Sequence, residues 1–118
     1  MDYQHRVKDW MVACFPSGSA DNSAERTHRF LEEALELAQV NGCTKADALA
    51  LVDYVFSRKT GDTDLEVGGV MVTLAGLCNA SGVDMIAAGE EELARNWDRI
   101  DAIRAKRAAR PANSPLPQ

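Results

Sequence analysis

Cysteine is scarce in this chain. Cys14, Cys43 and Cys78 are an odd number, widely spaced, with no CxxC pair. That excludes a disulfide framework or a zinc site as the organising element, and fits small core thiols in a reducing cytosol. The two histidines, His5 and His28, have no ligand-like spacing. No apolar run is long enough for a bilayer: the longest, residues 67–80, is too short and too rich in glycine. A secretory leader is not expected, because residues 1–15 carry charges throughout and lack a central apolar run. Basic excess is absent too. The formal net charge of -5 gives no nucleic-acid footprint. No internal repeat and no convincing alternating segment is present, so strands are not expected.

What remains is a 118-residue chain, 46% hydrophobic and 26% charged, as ordinary globular proteins are. It reads as a soluble, cytoplasmic protein with no membrane partner: one all-α domain over residues 1–108 and a disordered proline-rich tail over 109–118. Tyr3, Val7, Trp10, Met11 and Cys14 recur at helical spacing and predict a short N-terminal helix ending before Pro16. Asn22 with Glu25 makes a capping box for a second helix, which closes at Asn41–Gly42. Thr44 and Asp47 open a third. Thr63 with Glu66 forms the capping box of a fourth, ending near Ser81–Gly82. Asp84 caps a last helix whose apolar face holds Ile86, Leu93, Trp97 and Ile100. About four main helices with short connections imply a small helical bundle.

Two of these helices carry chemistry. In the second, Glu32, Glu33 and Glu36 fall within about 100° of one another around the helix, opposite an apolar face. Three like charges this close repel, a cost more readily met when a cation neutralises them, and hard oxygen ligands select magnesium or manganese. A solvated acidic face is the alternative reading, with Arg29 pairing with Glu32 or Glu33. The position of Val40, between Glu33 and Glu36, implies that part of that face meets another surface. The fourth helix has apolar residues around its whole circumference, so burial on nearly all sides is expected. Gly69, Thr73, Gly76 and Ala80 form a stripe of small residues along it, with Glu66 at its head.

Together the two helices resemble the MazG-like all-α nucleoside triphosphate pyrophosphohydrolase superfamily, over about residues 22–105. Its EExxE motif is matched by Glu32, Glu33 and Glu36. Its ExxD motif is matched at Glu66, and its asparagine on the last helix, followed by a basic residue, by Asn96 and Arg99. The resemblance implies magnesium-dependent hydrolysis of a (deoxy)nucleoside triphosphate to monophosphate and pyrophosphate, by a homodimer or homotetramer. Glu33, Glu36 and Glu66 would be metal ligands. Glu32 would be the water-activating catalytic base or the ligand of a further ion, and Asn96 and Arg99 would bind phosphate. The aspartate of ExxD falls at Gly69, one carboxylate short. Asp53 is the candidate replacement ligand, unless it pairs with Arg58 or Lys59. The runner-up function is a nucleotide-binding or regulatory module with weak or no hydrolysis.

Overall fold

The computed structural model describes residues 2–110. Among the described residues the chain is all-helical: α1 (Tyr3–Cys14), a 3-10 turn (Ser19–Asp21), α2 (Ser23–Val40), α3 (Lys45–Phe56), α4 (Thr63–Ser81), α5 (Met85–Asp98) and α6 (Ile100–Ala108). The expected tail falls almost wholly on residues 111–118, outside the described residues. Two compact units divide the described residues: one holds residues 2–33 together with residues 87–110, the other Ala34–Ile86. The boundary falls inside α2, between Glu33 and Ala34.

The first unit has the core. Trp10, Cys14 and Leu93 are buried, with Val7, Met11, Phe15, Ile100 and Ile103 packed against them. The Trp10 and Phe15 rings meet edge to face, centroids 5.4 Å apart at 78°, a favoured aromatic geometry. Burial pushes the Cys14 thiol up, against the lowering influence of Arg104 and Arg107, so it stays a neutral core group. Helix α1 is opened by Asp2, whose Oδ1 accepts from the His5 N–H at 2.9 Å. Its far end is closed from outside: Arg104 Nε donates to the Cys14 carbonyl at 2.7 Å and its Nη2 to the Ala13 carbonyl at 2.9 Å. A cation on the last carbonyls also opposes the negative end of the α1 dipole. At the other end Tyr3 Oη donates to the Gly89 carbonyl at 2.8 Å. Arg6 grips Glu90 through two hydrogen bonds of 2.7 and 2.6 Å. A Cβ at position 89 would meet Tyr3 Oη at 3.1 Å, so the glycine admits the phenol.

The expected last helix is two helices. Between them, at Arg99, the Trp10 indole N–H donates to the main-chain carbonyl of Asn96 at 3.0 Å. In an unbroken helix that carbonyl would serve the N–H of Ile100. Here the indole competes for it, and the Arg99 N–H takes it in a tighter turn at 3.2 Å.

The second unit contains the end of α2, α3 and α4. Gly42 (φ 91°) and Gly82 (φ 69°) close α2 and α4 in the left-handed conformation that lacks a steric cost only for glycine. The Cys43 and Val83 N–H groups then reach back to the Ala38 and Cys78 carbonyls at 3.0 and 2.9 Å. The Thr44 cap forms as expected, its Oγ1 accepting from the Asp47 N–H at 3.1 Å. The Thr63–Glu66 capping box does not. Asp62 is the N-cap and makes no side-chain cap bond, and Thr63 is already helical.

Burial on nearly all sides of α4 is not found either. None of its residues is buried, nor any of α3. Val40, placed on the acidic face of α2, is likewise 79% exposed.

Candidate site on helix α2

The Asn22 side chain starts α2 by accepting from the Glu25 N–H at 3.1 Å, the first half of the expected capping box. The reciprocal half is missing, because the Glu25 side chain is used elsewhere. It is 4% exposed and lies against Arg26, at 2.9 Å, and Arg107. Burial would raise this carboxyl; hydrogen bonds from Arg107 and Ser19, with the charges of Arg107 and Arg26, outweigh burial and hold it below the usual carboxylate range. Arg26 and Arg107 also flank the Phe15 ring, 5.3 and 5.5 Å from its centroid.

One turn beyond Arg29, Glu32 is spanned by a second arginine from the C-terminal end. Arg110 Nη1 and Nη2 each donate to one Glu32 oxygen at 3.3 Å, and Arg29 lies 4.0 Å away on the same carboxylate. The solvated-face alternative is therefore partly right: Glu32 is neutralised by arginine. Arg26, Arg29 and Arg110 each have a buried Nε with no hydrogen-bond partner among the described residues.

Glu33 lies in a different setting. It lines a recess of about 800 Å³ in the first unit, with Lys8, Arg26, Arg29 and Phe30 on the same walls. The Phe30 ring is 53% exposed. An exposed aromatic ring, three cations and two carboxylates, Asp2 and Glu33, around one opening can take a ligand that is anionic at one end and planar at the other.

The remaining expected residues are not among those that line this recess. Asn96 is half-buried near the end of α5, offering its carbonyl to Trp10, and Arg99 is exposed at the α5–α6 break. Glu36, Asp53 and Glu66 belong to the second unit and are exposed there. Glu66 folds back over the preceding turn, where a Cβ at Gly61 would meet its Oε1 at 3.0 Å. Arg58, a suggested partner of Asp53, stacks on the Tyr54 ring at 4.5 Å instead. Gly69 has open space around it. Among the described residues no three His, Cys, Asp or Glu side chains form a group able to hold a metal ion. No single helix among them is long and apolar enough to cross a membrane.

The sequence reading missed Glu25 and the separate roles of the arginines on and after α6. A signal was available: Arg104, Arg107 and Arg110 recur every third residue, and so form one stripe. They reach the end of α1, Glu25 and Glu32 respectively. Compared with family models, with curated proteins and with solved structures, the chain finds no match.

Proposed function

We propose that the chain is a magnesium-dependent nucleotide pyrophosphohydrolase, converting a (deoxy)nucleoside triphosphate and water to the monophosphate and pyrophosphate. The observation that carries this reading is the recess at Glu33, where Lys8, Arg26 and Arg29 share the walls with a carboxylate and the Phe30 ring. Guanidinium groups suit phosphate oxygens through paired hydrogen bonds, and Arg29, with an unpartnered Nε and a carboxylate no closer than 4.0 Å, is the least committed of them. The exposed ring suits a base.

That the described residues form no three-acid cage is compatible with magnesium, which is commonly held by one or two carboxylates together with substrate phosphates. Glu33 is then the ligand on the recess wall; the sequence pattern also offers Glu36, Glu66 and Asp53 as ligands, and none of them lines that recess. When bound, the ion would neutralise triphosphate charge and lower the pKa of a water molecule. At the recess the chain's own Arg29 and Arg26 orient the phosphates; Asn96 and Arg99, which the motif implies for the same task, do not line it. Glu32 is the proposed base. A cytoplasmic homodimer or homotetramer belongs to the same reading.

A second reading has its own support. Glu32 is tied to Arg110 and Arg29, and Gly69 supplies no carboxylate. Both favour a module that binds nucleotide and turns it over slowly. Pure protein incubated with a panel of triphosphates and magnesium separates the two. Pyrophosphate release lost in Glu33→Gln supports the enzyme. Nucleotide affinity without release, with manganese also tried, supports the binding module. Neither affinity nor release overturns both.

A further inference from the structure

Two carboxylates on α2 face arginines from the C-terminal end of the chain, and they are held very differently. Glu25 lies against Arg26 at 2.9 Å and against Arg107. The Arg6–Glu90 fork is equally settled, at 2.7 and 2.6 Å. Charge-assisted bonds of this kind ordinarily measure about 2.7–2.9 Å. Glu32 falls short of that. Both Arg110 bonds to it are 3.3 Å long, and Arg29 stands 4.0 Å off. One carboxylate is stretched between two guanidinium groups. The first is three residues back on its own helix. The second is fixed just beyond α6, where the Arg110 N–H reaches the Arg107 carbonyl at 3.4 Å.

These two guanidinium groups are costly where they stand. The Arg29 and Arg110 side chains are only 19% and 13% exposed. Each has a buried Nε–H with no acceptor among the described residues. A desolvated cation short of hydrogen bonds is unfavourable, and one shared carboxylate at 3.3–4.0 Å offsets little of that cost. Residues 111–118 bring no Asp or Glu to add to it. Glu32 is the most exposed of the three side chains, at 34%, so it is the one that can swing into water.

We infer that Arg29 and Arg110 form a binding site for a doubly charged tetrahedral oxyanion of the phosphate class, which takes both guanidinium forks and releases Glu32 to solvent. Oxygens at tetrahedral corners can face two planar forks at once, which the two oxygens of one carboxylate do poorly. The dianion also brings one more negative charge than the side chain it displaces. Neither Arg110 nor Glu32 lines the recess at Glu33, and Arg29 is common to both places. The site needs no nucleotide. One consequence does rest on the nucleotide reading: phosphate bound here frees Glu32, the proposed base, and so regulates turnover.

The probes are orthophosphate and pyrophosphate, each titrated by calorimetry into the full chain without nucleotide or metal. Thermal melts accompany them at an ionic strength held constant with chloride. The expected result is saturable binding of one anion per chain and a melting temperature that rises with anion concentration. Tighter orthophosphate identifies the free ion as the ligand; tighter pyrophosphate identifies the terminal phosphoryl group of a larger anion. Arg110→Met should weaken binding by roughly tenfold or more. Glu32→Gln should strengthen it by roughly tenfold, because the internal competitor for both arginines is gone; a purely structural ion pair gives no such gain. Lys8→Ala, on the recess wall, should leave the affinity unchanged. Absence of saturable binding overturns the proposal, and so does a Glu32→Gln variant that binds no more tightly. Binding weakened by Lys8→Ala but not by Arg110→Met overturns it too, since the anion then sits in the recess. A chain that binds phosphate in this pattern yet neither binds nor cleaves any triphosphate leaves the site standing and removes the nucleotide reading alone.

Discussion

Trp10 and Asn96 are joined by one hydrogen bond, indole N–H to main-chain carbonyl at 3.0 Å, and the helix carrying Asn96 ends two residues later at Asp98. The bond draws α1 against the α5–α6 break, and it is made by a residue in the centre of the core. Trp10→Phe keeps most of the apolar volume and removes the donor, for an expected loss of about 1 kcal/mol. Trp10→Ala also leaves a cavity and should cost about 3–5 kcal/mol. Denaturant melts followed by circular dichroism read both. Equal losses would show that the hydrogen bond and not the ring's packing carries Trp10's contribution.

Glu25 is the buried acid of the first unit, held by Arg107 and Arg26. Glu25→Gln leaves two guanidinium groups without their counter-charge and should destabilise by about 3–5 kcal/mol. Glu25→Leu combined with Arg107→Met should recover part of that loss, because neither residual charge of the pair is then stranded. A double-mutant cycle gives the coupling. A coupling energy near zero would contradict the pair.

Acid sensitivity follows from the same residue and from Glu90, whose carboxyl the Arg6 hydrogen bond holds below its ordinary 4.5. Both carboxyls have folded values lower than their unfolded ones. The stability they contribute is complete above about 4.5 and is lost as pH falls through the folded values. Stability measured from pH 7 downward should therefore fall below about pH 4.5, and Glu25→Gln should flatten that slope. An unchanged slope in the variant would assign the acid limb to other groups.

At the recess, Arg29→Ala removes a cation whose nearest carboxylate is 4.0 Å away, so the fold should tolerate it. If the recess holds triphosphate, KM should rise by roughly tenfold or more with kcat less affected. Glu33→Gln should instead lower kcat and the magnesium dependence together. Steady-state pyrophosphate release across a magnesium series distinguishes the two patterns.

Arg110 covers both oxygens of Glu32. Arg110→Met should free that carboxylate while keeping the side chain's apolar stem. A base held back by its arginine would show a gain in turnover and a changed pH profile. A Glu32 whose pairing is structural would show only a lower melting temperature.

The helices themselves were legible in the chain. The spacing of Tyr3, Val7, Trp10 and Cys14, the caps at Asn22 and Thr44, and the stops at Gly42 and Gly82 all rest on local chemistry that neighbours in sequence decide among themselves. Glu32, Glu33 and Glu36 share a helix face for the same reason, since the helical repeat places them there. Which of them is neutralised was not legible. Glu32 is taken by Arg110, 78 residues further along the chain, and Glu33 lines a recess whose walls α1 helps to form.

The break at Arg99 was invisible for a similar reason: the group that competes for the Asn96 carbonyl is 86 residues away in Trp10. The clearest divide concerns α4. Its sequence determined a helix apolar on every side, because hydrophobicity around the circumference is a property of residue order alone. Only the tertiary structure decided that its small-residue face lies open among the described residues, because burial depends on what other surfaces are brought near, and helical periodicity carries no record of that.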